Sequence, residues 1–452
     1  MAERMMSLGL LLHATGSHPA SWLDPSSKAD GSTDIQHYTR MAQIAEAAKF
    51  DLFFIADTPA ARTSNLHAWS RYPMFMNVFE PVPLLSAIAM GTTRIGLGGT
   101  TSTSFTEPYN LARQFASLDH ISAGRAAWNV VTLANDYAAR NFGLDKLPPH
   151  DKRYEKAREF IQVVQALWDT WEDDAFVRDR GTGVYFDPAK QHVVDHDGPF
   201  FKVHGALNIA RTPQGQPVII QAGQSEDGKN FAAQTAEIVF ASANTLAKAQ
   251  AFYTDLKGRV AKFGRSPDQI KILPGISPIV ADTKEEADRK YEYLQSLVHP
   301  EVGRQFLAED LEADLSGLPL DQPIPEDRIP KKSNLHQAYF AHIVEMIDEG
   351  LTLGEIAKRY NRGRNVVRGT ASQVVDSMEE WFQGGGADGF MFSPQTVPDG
   401  LEQFTRLIVP ELQRRGLFRT EYAGATLRDH MGFVRPANRH VKPAAATDAA
   451  AE

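Results

Sequence analysis

The sequence predicts an α/β chain folded as a (β/α)8 TIM barrel with insertions after strands 2, 4 and 7. Three observations carry this expectation. Short β-branched or apolar runs alternate with longer stretches whose apolar residues recur three and four apart. That alternation repeats eight times along the 452 residues, as a parallel sheet with crossover helices requires. Three polar stretches interrupt the repeat without ending it.

The elements follow in order. Residues 8–12 read as the first strand, and residues 1–12 lack the small-residue cleavage site of a signal peptide. A helix over 35–50 places Ile35, Tyr38, Met41, Ile44 and Ala48 on one face, with Asp34 as its N-cap. Strand two spans 52–56 and ends at Asp57; a helix over 83–90 follows. Strands three and four fall at 95–99 and 126–131, each followed by a helix, over 109–120 and 152–168. Strand five (217–222) precedes a helix over 225–235, and strand six (237–241) precedes one over 246–263. Strand seven (272–280) leads to a helix over 284–297, and strand eight (389–392) to a last helix over 401–415.

One domain is expected over 1–435, with insertions at about 58–80, 135–207 and 298–370, the last a lid. The Ala-, Pro- and Lys-rich stretch 436–452 is expected to be a disordered tail. The chain is 42% hydrophobic and 23% charged, as in ordinary globular proteins. It has no cysteine, which excludes disulfides, thiolate catalysis and cysteine-held metal centres. A formal charge of −9 speaks against nucleic acid or an anionic membrane as partner. No apolar run is long enough to span a bilayer. A cytoplasmic enzyme acting on a small molecule is the expected class.

Barrel active sites form at the C-terminal ends of the strands. Polar residues recur there: Asp57, the run from Thr100 to Ser104, Asn129, Thr132, Gln221 and Ser225. His150 and Tyr154, four apart at a helix start, share a face. Gly223 permits a tight turn, and Ser225 fits an N-cap whose exposed N–H groups attract phosphate. The triple glycine at 384–386 is a rival phosphate site. Asp119 and Arg125 are placed to pair around the turn into strand four. Phe53, Trp69, Phe75, Phe79 and Trp128 read either as core or as walls of an apolar cavity. His13 and His18 follow strand one without the later acidic and His partners of a barrel metal site, so no metal is expected.

Nine segments in order resemble one branch of the bacterial luciferase-like flavin monooxygenases, the oxygenases of nitrilotriacetate, EDTA and dibenzothiophene sulfone. They are FFIAD at 53–57, EPVP at 80–83, GGTTSTSF at 98–105, LDHISAGR at 118–125, WNVVT at 128–132, ARNFG at 139–143, HDKRY at 150–154, QAGQS at 221–225 and LRDH at 427–430. The resemblance implies FMN, used as FMNH2, with O2 as co-substrate. It implies a separate NAD(P)H:flavin reductase as partner, a small organic substrate, and a homodimer or homotetramer. It gives FMN contacts to Asp57, Thr103, Asn129, His150, Tyr154 and Ser225. Each has a plainer reading as a cap, a backbone partner or a surface group. His18, with an ordinary pKa near neutrality, is the expected catalytic residue, facing substrate or oxygen. Lys331, Lys332, Arg362 and Arg364 stand open as receivers of an anionic substrate or as solvated charge. A deazaflavin-dependent oxidoreductase and a non-catalytic flavin binder remain the alternatives.

Overall fold

The computed structural model describes residues 4–133, 135–333, 337–360 and 365–441. Eight parallel strands close into a barrel: β1 Ser7–Leu11, β2 Leu52–Ile55, β3 Gly96–Ser102, β4 Ala126–Val131, β5 Val218–Gln221, β6 Ile238–Ala241, β7 Lys271–Ile276 and β8 Gly389–Phe392. All eight lie where the sequence places strands. β2, β5 and β8 are buried at every position, because helices cover the outer face while side chains fill the inside. Closure pairs Ser7 with Gly389 through Leu10 with Phe392. Gly389 has φ +152°, and a Cβ there would sit 1.9 Å from the Ser7 carbonyl oxygen. Only glycine allows that seam.

The covering helices are α1 Ile35–Ala47, α2 Pro81–Ala89, α3 Pro108–Ile121, α4 His150–Trp168, α5 Glu226–Thr235, α6 Leu246–Val260, α7 Ala371–Gln383 and a last helical run, α8, over 399–414. Asp34 caps α1 by accepting from the Gln36 and His37 N–H groups at 2.9 and 3.3 Å. Glu80 caps α2 through the Val82 N–H, with Pro81 in the first turn where a missing N–H costs nothing. Trp128 is core: it packs among Phe115, Phe160 and Trp168 and donates to the Thr101 carbonyl at 3.0 Å.

The region after β7 differs from expectation. Helix Lys284–Ser296 forms, but its Ala287 and Leu294 pack on Ile279 and Ala281 beside a two-stranded ribbon of Ile279–Val280 with Arg368–Gly369. The helix that covers the barrel there is α7, which buries Val374, Val375, Met378, Trp381 and Phe382 in the main core. Periodicity reveals an apolar face but not the layer it will meet. Helices Pro300–Leu311, Gln337–Asp348 and Leu353–Arg359 join Trp69 and Tyr72, from the connection after β2, in a separate apolar cluster. The insertions after β2 and β7 thus build one cap.

The opposite end is plugged by the chain's own C-terminal segment. Leu427, Met431 and Phe433 share a cluster with the barrel side chains Leu52, Phe54, Val218 and Met391. Residues 436–441 are also docked: the Pro436 carbonyl accepts from Arg211 at 2.7 Å, and buried Asn438 donates to the Trp171 carbonyl at 2.8 Å. The rest of the expected tail, 442–452, lies outside the described residues.

The pairing of Asp119 with Arg125 is also corrected. Asp119 accepts from the Ala126 N–H at 3.0 Å and from Gln214 Nε2 at 2.6 Å. Arg125, 2% exposed, turns instead toward the C-terminal end of α2 and collects carbonyls.

In the plug, His430 is buried beside Tyr422 at a ring separation of 4.7 Å, and neither ring nitrogen has a partner among the described residues. Burial first, then Arg419, pulls its pKa down to about 4. The folded state therefore holds the neutral ring while the unfolded chain takes a proton below about pH 6.5. Stability is fully present above that value and is lost as pH falls toward 4, by about 3 kcal/mol over the window. His430→Leu should flatten the acid limb of a thermal-melting profile between pH 6.5 and 4; an unchanged limb contradicts the assignment.

Candidate active site

A cavity of about 1070 Å³ opens at the C-terminal ends of the strands. Its floor carries Asp57 after β2, Val130 to Thr132 at the end of β4, Gln221 to Ser225 after β5 and Phe240 of β6. His150, Arg153 and Tyr154 come from the first turn of α4. The cap helix Pro300–Leu311 supplies another wall with Glu301, Arg304, Gln305 and Glu309. The volume lies at the top of the range of ordinary ligand sites, about 300–1,000 Å³.

Four of the seven expected residues meet here: Asp57, His150, Tyr154 and Ser225. Ser225 caps α5, accepting from the Gly228 N–H at 3.1 Å, and lies 3.3 Å from His150 Nε2. His150 Nδ1 faces Asp227 at 3.3 Å. The Tyr154 hydroxyl closes against the turn: a Cβ on Gly223 would lie 2.7 Å from it, and one on Gly228 2.9 Å. Burial raises the Tyr154 pKa against hydrogen bonds from Ser225, Thr132 and Gln221, so the phenol stays a donor at neutral pH. Gln221 Oε1 accepts from the Gly223 N–H at 2.6 Å and fixes the turn.

Arg153 is buried, so it is not solvated. Nη1 donates to the Pro148 carbonyl at 3.1 Å, and Nε has no partner among the described residues. Helix N-terminus, serine, tyrosine and arginine together make an anion cradle. The triple glycine at 384–386 follows α7 and precedes β8, which puts it at the other end of the barrel from the mouth.

Asp57 sits two residues past β2 on the cavity floor, and burial pushes its pKa up to about 6. Glu80 is raised too, by burial and by the nearby Asp57 charge. The sign runs against the usual carboxylate. Protonated Asp57 stabilises the fold below its ordinary value near 3.8, and that stability is lost as pH rises through 6. Asp57→Asn should therefore stabilise the protein by on the order of 2 kcal/mol at about pH 7.5 and by nothing at about pH 3.5. Equal melting temperatures at the higher pH contradict this.

Three expected residues do not line the cavity. Thr103 is buried, and its hydroxyl donates to the Val131 carbonyl at 3.3 Å, the plainer of its two readings. Asn129 is locked by Nδ2 to Thr100 Oγ1 at 2.9 Å, while its buried Oδ1 has no partner among the described residues. His18 lies between two small chambers of about 30 and 40 Å³. Phe75, with φ +62°, borders both the main cavity and the first chamber. His18 Nδ1 accepts the Ala20 N–H at 3.2 Å, so the neutral ring carries its proton on Nε2. Of the five aromatics considered as cavity walls, Phe75 alone borders the main cavity.

Lys331 and Lys332 are exposed and outside the cavity lining; Arg362 and Arg364 lie outside the described residues. Among the described residues, no group of three His, Asp or Glu is gathered to hold a metal ion. The cap wall, including Arg304 and Glu309, was invisible to strand-end reasoning. The one usable signal was that a connection leaving β7 must begin at the mouth.

The profile of the luciferase-like monooxygenases matches residues 12–389. The chain is 45% identical to N-acetyl-S-(2-succino)cysteine monooxygenase of Bacillus subtilis, over 97% of this chain and 99% of that one. It is 44% identical to nitrilotriacetate monooxygenase component A of Aminobacter aminovorans, over 98% and 99%. The crystal structure of a riboflavin lyase with modified FMN and riboflavin superposes with a TM-score of 0.84 at 31% identity, covering 95% of this chain and 96% of that one.

Proposed function

The chain belongs to the luciferase-like monooxygenase family, and on that premise we propose that it is the oxygenase component of a two-component system. It takes FMNH2 from a separate NAD(P)H:flavin reductase and inserts one atom of O2 into a small organic substrate containing nitrogen, sulfur or an alkyl chain. The observation that carries this reading is the cradle of Ser225, His150, Tyr154 and Arg153 on one cavity wall. Its buried Arg153 Nε and its glycine turn, which a single Cβ would fill, fit a flavin phosphate. Bound FMNH2 supplies the two electrons that activate O2, one oxygen atom entering substrate and the other leaving as water.

The protein's share is placement and shielding. Ser225 and the first N–H groups of α5 hold the phosphate. Tyr154 donates from a buried phenol, and His150 is braced between Ser225 and Asp227. Asp57 stands on the cavity floor just past β2, where its raised pKa keeps it poised between donor and acceptor near neutrality. The cap formed by the two insertions walls the cavity above the strand ends, and shielding a bound flavin from water there would protect the coupled reaction. His18 acts at one remove, carrying protons through chambers each large enough for a water molecule. Unchanged oxygenated product per FMNH2 in His18→Ala removes it from this position.

The test combines the protein with a flavin reductase, NADH, FMN, isotope-labelled O2 and candidate substrates. Labelled product supports the reading. Steady hydrogen peroxide without product would instead mark a flavin binder, and anaerobic turnover with a deazaflavin would mark a reductase.

A further inference from the structure

The cavity wall built by the cap holds a cation with no close partner among the described residues. Arg304, on helix Pro300–Leu311, lines the cavity with its side chain 14% exposed. Its Nε is buried and has no hydrogen-bond acceptor among the described residues. The ion pair recorded for it there is 3.5 Å to Glu301, one turn away on the same helix. A charge-assisted hydrogen bond is shorter, at about 2.7–2.9 Å. The other two arginines of the lining are committed. Arg62 pairs with Glu309 at 2.9 Å and lies 4.2 Å over the Trp69 ring. Arg153 belongs to the cradle on α4, with Nη1 on the Pro148 carbonyl. The neighbouring acids of the cap are engaged as well, Glu309 by Arg62 and Asp310 by the Tyr360 hydroxyl at 2.8 Å.

A buried guanidinium N–H without an acceptor is unfavourable, and a planar carboxylate satisfies two of its donors at once. We propose that Arg304 receives a carboxylate of the substrate, so that the cavity selects carboxylate-bearing small molecules. This rests on the oxygenase reading above. Glu301 holds the guanidinium in a loose pair, which a ligand carboxylate replaces with a close, two-pronged one. The anionic-substrate role considered for Lys331 and Lys332 thus passes to a residue that faces the cavity.

The test titrates succinate, and its neutral isostere succinamide, into the protein by calorimetry, with and without oxidised FMN. The wild type is expected to bind succinate at least ten-fold more tightly than succinamide. Arg304→Gln should weaken succinate binding by about ten- to a hundred-fold, the loss of a charged hydrogen-bonded pair, and leave FMN affinity unchanged. Arg304→Lys should fall between, and it reads the same contact if the Gln variant does not fold. The proposal is overturned if the wild type fails to bind succinate, binds succinamide equally, or keeps its succinate affinity in both variants. A parallel fall in FMN affinity also overturns it, by placing Arg304 on the cofactor. Failure of the wild type to take up FMN would contradict the flavin reading alone, because the FMN-free titration still reports on Arg304.

Discussion

Gly223→Ala is expected to weaken FMN binding by about ten- to a hundred-fold while the barrel stays folded. The added Cβ would lie 2.7 Å from the Tyr154 hydroxyl, 2.9 Å from Gln221 Nε2 and 2.9 Å from the Gly228 Cα. None of these neighbours yields cheaply. Tyr154 is buried, Gln221 is tied back to the Gly223 N–H, and Gly228 is in the first turn of α5. Overpacking of this kind costs about 1–3 kcal/mol, and the turn relieves it by moving off the helix end that holds phosphate. Gly258 in α6 is the control. A Cβ there meets nothing within 4 Å, so Gly258→Ala should leave FMN affinity alone and stabilise the helix by about 0.5–1 kcal/mol. Fluorescence titration with FMN compares the two. Equal affinity in Gly223→Ala would mean that the turn is not part of the cofactor site.

The largest expected loss of stability comes from Arg125→Met. The guanidinium donates to the carbonyls of Ser122 at 2.7 Å, Ile95 at 2.9 Å, Thr92 at 3.0 Å and Ala89 at 3.1 Å, and to Thr92 Oγ1 at 2.9 Å. It thereby satisfies the end of α2 and the turn into β3, and puts a cation at a helix C-terminus. Methionine keeps much of the stem volume but strands those acceptors in the core. The cost should be about 3–5 kcal/mol, seen in a chain of this size as a melting temperature lower by roughly 3–5 °C. Arg125→Lys keeps the charge without the fork and should recover less than half. A loss below about 1 kcal/mol in the Met variant would show that water reaches these carbonyls.

These two sites show what could be read in advance. All eight strands were legible because a parallel barrel strand is a short apolar run closed by a polar strand end, as in Leu52–Ile55 before Asp57. The cradle was legible because its chemistry is local: Gly223 and Ser225 lie three residues or fewer from α5, and His150 and Tyr154 are one helical turn apart. Helix α7 escapes the sequence reading because Lys284–Ser296, directly after β7, also carries an apolar face, and only the tertiary fold decides which of the two meets the barrel. Arg125 was paired with Asp119 because opposite charges six apart suggest a bridge; each instead found backbone groups from other elements. Arg304 was out of reach for the same reason, since its place over the mouth depends on the cap's own apolar cluster. His18 shows the limit from the other side, a residue of the loop after β1 whose side chain borders two small chambers rather than the main cavity.

The most direct measurement is a crystal structure with FMN soaked in under reducing conditions. The account predicts phosphate between Ser225, Tyr154 and the start of α5, with the ring system lying toward Asp57 beneath the cap helix Pro300–Leu311. Flavin bound at the glycine run 384–386, or on the outside of the barrel, would contradict it, as would a cavity left empty at saturating FMNH2.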